Sequence, residues 1–156
     1  MSKQRKYNTI ANNSSSGFSN TDLRLNDFNQ SNIDNNKIGD FGNLKGCSIK
    51  ELLKRIPAYA VKRVFKPNPN GIQEGYEYKW IYNNKTWRVE IHSSDPAAPI
   101  GNNAHNGWVF RVQKGKKRMD SAGNFHKASI FKKDSPNYDE DIANDSHIPI
   151  IMDISK

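Results

Sequence analysis

A chain of 156 residues with one cysteine and a formal net charge of +8 is long enough for a single domain, and it excludes an internal disulfide and a cysteine-built metal cage. Its pI near 9.6 points to a polyanionic partner, nucleic acid before anionic membrane, because basic side chains gain affinity by displacing the counterions of phosphates. No run approaches the roughly 20 apolar residues of a membrane span, and the N-terminus lacks the apolar centre of a signal peptide.

Residues 1–45 are rich in Asn and Ser, with the run Asn12-Asn13-Ser14-Ser15-Ser16. Such a segment buries too little apolar surface to offset its ordering entropy, so it reads as a poorly ordered linker, with Leu23, Leu25 and Phe28 as docking patches. The folded domain is expected over residues 46–156. Ser48 with Glu51 three positions on has the spacing of a capping box, and Ile49, Leu52, Leu53 and Ile56 then share a helix face that Pro57 ends. The following A-Y-A-V-K-R-V-F spaces Ala60, Val61, Val64 and Phe65 for burial, which predicts one or two helices between Ser48 and Phe65. Lys50, Lys54, Arg55, Lys62, Arg63 and Lys66 make this segment the first basic surface.

After the turn K-P-N-P-N-G at 66–71, the alternation of Tyr76, Tyr78, Trp80 and Tyr82 with polar residues predicts a strand, Asn83-Asn84-Lys85 a turn, and Trp87, Val89 and Ile91 a returning strand. These aromatics read as core and cross-strand packing rather than as a base-stacking platform. The polar loop 93–107 is longer than a hairpin needs, and loops of that length in compact domains are disproportionately functional. A further strand through Phe110 and Val112 leads to the cationic turn 114–118, a weaker strand over Phe125 to Phe131, and an irregular acidic tail around Tyr138. The whole predicts an α+β fold, with N-terminal helices packed on a small twisted antiparallel β-sheet.

In the central strand, Trp87, Val89 and Ile91 point one way and Arg88, Glu90 and His92 the other, so one face is buried and the other carries a cation, a carboxylate and an imidazole. Those groups make a plausible acid, base and anion clamp. His92 is the first candidate, with Glu90 the alternative base and Arg88 and Arg111 the phosphate clamp. A histidine hydrogen-bonded at a strand end would look the same in sequence.

The elements I-P-A-Y-A at 56–60, G-Y-E-Y-K-W at 75–80, W-R-V-E-I-H-S-S-D-P at 87–96, G-W-V-F-R-V at 107–112 and Y-D-E-D-I-A-N-D-S-H-I-P-I at 138–150 together resemble the type 30 domain of bacterial polymorphic toxins. The resemblance runs from Ile56 to Ile150. It implies an RNase-like fold and an RNA-cleaving module carried at the end of a larger secreted or contact-delivered protein. Such a module acts in the target-cell cytoplasm and is neutralised by a cognate immunity protein, expected to be acidic on charge complementarity. The family pattern is carried at His92, Asp95, Trp108, Arg111 and His147.

The catalytic set expected is therefore His92, Arg111, His147, Glu90 and Arg88, with Asp95, His105, Trp108, Lys62 and Arg63 binding substrate. RNA, transfer RNA included, is the expected substrate, and no metal, cofactor or membrane insertion is expected. Two other classes compete. A metal-dependent DNase could draw on His92, Asn103, His105 and His126, although no compact ligand spacing is present. A non-catalytic RNA-binding module would need only the aromatic strands and basic helices.

Overall fold

The computed structural model describes residues 37–152, and a compact unit begins at Gly39. The Asn/Ser run and the patches Leu23, Leu25 and Phe28 lie outside the described residues.

Strands dominate. In chain order they are β1 (Cys47–Ser48), β2 (Val61–Val64), β3 (Gly75–Tyr82), β4 (Lys85–His92), β5 (Val109–Lys114), β6 (Lys117–Met119), β7 (Phe125–His126) and β8 (Ile148–Ile151). Three short α-helices punctuate them, α1 (Ile49–Leu53), α2 (Asn103–Asn106) and α3 (Glu140–Asp145), with a 3-10 turn at Ala128–Phe131. The strands form one eight-stranded sheet in the order β1-β8-β5-β4-β3-β2, and β6 joins β5 to β7. The sheet is mixed, because β1 runs parallel to β8 while the other pairs are antiparallel.

This corrects the expected fold: among the described residues there is no layer of N-terminal helices on a small antiparallel sheet. The capping signal was real, since Ser48 Oγ accepts from Glu51 N at 3.2 Å, but the helix it starts has only 5 residues. The next segment is not helical. Val61 and Val64 are each 69% exposed on β2, an edge strand paired only with β3, so the spacing that suggested a buried helical face reflects β-branched residues suited to a strand.

The chain after Met119 departs from expectation in the same way. Ala128–Phe131 is a 3-10 turn, and the acidic tail is ordered. Asp139 Oδ1 accepts from Ile142 N at 3.1 Å and caps α3, whose first turn holds Glu140 and Asp141 where the helix dipole favours anions. The chain then enters the sheet as β8 despite Pro149. The residue needs no donor there, because its carbonyl accepts from Gly46 N and Ile150 N donates to Trp108 O.

The β3–β4 hairpin has the form that the sequence suggests. Tyr82 pairs with Lys85, and Asn83 and Asn84 adopt φ of 50° and 63°, the left-handed pair that a tight two-residue turn of this twist requires. Residues opposite each other across antiparallel strands share a face, so Trp80, Trp87, Val89, Ile91, Phe110, Val112, Met119 and Ile148 fall together. Phe41, Leu44, Ile49, Leu52 and Ile56 close this face into the core. Trp80 stacks on Trp87 with ring centres 5.7 Å apart.

β5 is the hub. One edge pairs with β4 along its length, and the other is divided between β8 at Val109–Phe110 and β6 at Gln113–Lys114. Phe110 is 0% exposed at that branch point. Phe110→Ala is predicted to lower the unfolding free energy in urea by about 3–5 kcal/mol; a loss below about 1 kcal/mol would show that the core does not centre on β5.

Candidate active site on the polar face of the sheet

The register that buries one face fixes the other. Opposite the core, Arg63, Glu77, Arg88, Glu90, Arg111, Gln113, Arg118 and His126 follow one another across β2 to β7, and His92 stands at the end of β4. Arg63 Nη2 and Arg88 Nη1 each lie 3.4 Å from the carboxylate of Glu77, which is itself 4% exposed. Arg111 Nη1 is 3.6 Å from Glu90 Oε1 on the neighbouring strand. His126 Nε2 donates to Asp120 Oδ2 at 2.8 Å.

Two histidines close one end of this row. His147 immediately precedes β8, and its ring centre is 6.3 Å from that of His92, edge to face. Each ring is oriented by the backbone: His92 Nδ1 donates to Ser93 O at 2.8 Å, and His147 Nδ1 donates to Ala143 O at 3.1 Å. Donation from Nδ1 fixes the neutral tautomer and leaves the Nε2 lone pair as the free position on both rings. Burial lowers the proton affinity of His92; its carbonyl partner and Glu90 pull the other way, and Arg111 adds to the lowering. Burial also lowers His147, to about 4, with help from Arg111, His92 and Arg118. Both imidazoles are therefore neutral near pH 7.

Arg111 acts on both rings, and its side chain is 21% exposed. Its Nε is buried and has no hydrogen-bond partner. An orphaned donor of this kind costs about 1–3 kcal/mol and is satisfied when an anionic oxygen arrives. Arg118 makes no ion pair among the described residues, and its guanidinium lies 5.7 Å from the centre of the Phe131 ring. This end of the polar face thus holds two neutral imidazoles and two guanidiniums with donors to spare.

Of the residues expected from sequence, His92, His147, Arg111 and Glu90 come together. Arg88 is on the same face but held by Glu77. Asp95 builds its own loop, its Oδ1 accepting from Ala97 N at 3.0 Å, and reaches His92 only as a charge. His105 is bound to Ala98 O at 2.9 Å, and Trp108 packs against the core. Lys62 lies on the opposite face, 4.6 Å from the Tyr76 ring centre, while Arg63 sits at the edge strand on Glu77.

Sequence reasoning missed Glu77 and Arg118. A polar residue between aromatics announced Glu77, whereas Arg118 became visible only once β6 was paired with β5. The loop 93–107 is fastened beside the histidine pair. In α2, Asn103 N donates to Asn144 Oδ1 at 2.8 Å and Asn103 Nδ2 to His147 O at 3.0 Å, tying the loop to the residue that carries the second imidazole. The alternative set His92, Asn103, His105 and His126 is not gathered, and among the described residues no three His, Cys, Asp or Glu side chains converge as ligands.

The model of the family described as bacterial toxin 30 matches residues 51–151 of the chain. No curated protein and no solved structure matches it.

The buried imidazoles make stability depend on acid. Both have folded values below the ordinary 6.5, about 4 for His147, so their contribution is complete above pH 6.5 and is lost as pH falls towards 4. The urea midpoint is predicted to drop between pH 7 and pH 4.5 and to drop less in His147→Gln. An equal drop in parent and variant would remove His147 from this linkage.

Proposed function

We propose that this chain, which belongs to the bacterial toxin 30 family, cleaves RNA by general acid and base catalysis between His92 and His147. The observation that carries the reading is the pair of neutral imidazoles, each presenting Nε2, beside an arginine whose buried Nε has no partner.

A phosphodiester seated on Arg111 and Arg118 brings a negative charge to the two rings. That charge offsets the repulsion from the guanidiniums and allows one imidazole to take a proton. The neutral ring accepts the 2′-hydroxyl proton as the oxygen attacks phosphorus, and the protonated ring gives its proton to the departing 5′-oxygen. One bond to phosphorus forms and one breaks, leaving a 2′,3′-cyclic phosphate and a 5′-hydroxyl. Arg111 and Arg118 stabilise the extra charge on the equatorial oxygens. Glu90 holds Arg111 in place, a positioning role rather than that of a base. His92 is 3% exposed, so the loop 93–107 shifts for substrate to reach its Nε2.

A bacterial toxin domain with this chemistry acts where RNA is, in the cytoplasm of the target cell, and its producer needs an immunity protein. The charge of +8 favours an acidic face on that partner. Among the described residues no helix is long and apolar enough to cross a membrane, so entry depends on whatever delivers the domain.

Purified domain is predicted to cut transfer RNA in EDTA and to leave 2′,3′-cyclic ends, with His147→Gln losing about 10²-fold or more in kcat. Because kcat/KM reports the free protein, its optimum should lie between the two histidine values, above about 4 and below 6.5. Intact RNA in EDTA, with DNA degraded only when a divalent ion is added, would contradict the mechanism. An optimum above pH 7.5 would contradict the assignment of the two histidines.

A further inference from the structure

At the other end of β4 from His92, the turns β3–β4 and β5–β6 enclose a groove of about 730 Å³ lined by Asn84, Lys85, Lys114, Lys116, Lys117 and Phe125, among others. None of the four lysines makes an ion pair among the described residues, and no carboxylate lines the groove. Lys114 Nζ sits 5.2 Å from the centre of the Trp87 ring and 5.1 Å from that of Phe125. This holds one ammonium in place over an aromatic floor.

Four like charges with no counter-charge repel one another, and a bound polyanion removes that cost while releasing its own counterions. Regularly spaced phosphates with bases between them match four lysines around the partly buried Phe125 ring that lines the groove better than a carboxylate surface does, because a carboxylate leaves that ring unused. We propose that this groove is a second RNA-binding subsite, which takes backbone phosphates of the strand whose scissile bond lies at the histidines. The inference rests on the ribonuclease reading for the identity of the strand.

His92 and Lys85 are the two ends of β4, about 23 Å apart along an extended strand. Lys85 and Lys114 share the Trp87 face while His92 lies on the other, so an RNA that engages both sites passes round the hairpin end of the sheet. A phosphate in the groove is therefore several nucleotides from the bond that breaks. A dinucleotide fits the histidine site alone, whereas a longer RNA engages both. The groove thus supplies affinity for chain length and leaves the chemical step unchanged.

The test is the triple variant Lys85→Gln, Lys116→Gln, Lys117→Gln, whose three side chains are exposed and make no hydrogen bond or ion pair among the described residues. Binding is measured with a single-stranded RNA of about 20 nucleotides carrying 2′-O-methyl groups, so that no cleavage is involved. The variant is expected to bind about tenfold or more weakly at low salt, and the slope of log affinity against log salt is expected to fall by about 2. Cleavage of a dinucleotide should be unchanged.

Unaltered binding and slope overturn the proposal. So does an equal loss of dinucleotide cleavage, which would place the lysines within the catalytic machinery. Retained RNA binding with lost affinity for poly-aspartate would assign the groove to an acidic protein instead. If no RNA is cleaved by parent or variant, the binding result still decides the groove while the catalytic reading fails.

Discussion

The pairing of β4 with β5 is the constraint on which the rest of the molecule depends. Opposing Ile91 to Phe110 and Val89 to Val112 puts two pairs of fully buried side chains on one face. The same register puts Glu90 against Arg111 and His92 against Val109 on the other. A slip of one residue would send Arg111 into the core and Phe110 into the cleft, so the hydrophobic effect that fixes the sheet also fixes the spacing of the charged groups. The site inherits its geometry from the core.

Electrostatics on the polar face follow from that arrangement. Two of the arginines, Arg63 and Arg88, share the single buried carboxylate of Glu77, which offsets one of their two charges, and Asp120 is occupied by His126 and backbone N–H groups. Near the histidine pair the balance is positive too, with Arg111 only partly paired with Glu90 and Arg118 in no ion pair among the described residues. Placing cations beside imidazoles is costly for protonation, and burial adds to that cost. The result is a pair of imidazoles that are neutral near pH 7, and on the proposed reading an arriving phosphodiester favours protonation of one of them.

How much of this was legible in the sequence depended on whether the signal was local. The β3–β4 hairpin was readable because the Asn83-Asn84 turn and the aromatic alternation are both short-range. The helix at Ser48 was readable at its cap and misread in its extent, since Val61 and Val64 are apolar yet exposed, and an edge strand gives no alternation to count. β8 was hidden by Pro149, which argues against an interior strand unless the neighbours' donors are known. The acidic tail reads as irregular in sequence because Asp139, Glu140 and Asp141 look like a charge run until the Asp139 cap on Ile142 N shows them to be a first helical turn. On the polar face, His92, Glu90 and Arg111 came from one strand's alternation and its neighbour. His147 came from the family pattern, and Arg118 and Glu77 needed strand pairing that no local pattern encodes.

The central claim is that two neutral imidazoles with free Nε2 atoms form one anion-responsive site. Nitrogen-15 spectra of the histidine rings, recorded at pH 7 with and without a nucleoside 3′-monophosphate, test it most directly. The account predicts that His92 and His147 both show the Nδ1–H tautomer in the free protein and that the nucleotide protonates one of them and shifts the other. Signals from Nε2–H tautomers, or two rings that ignore the nucleotide while the rest of the spectrum responds, would contradict it.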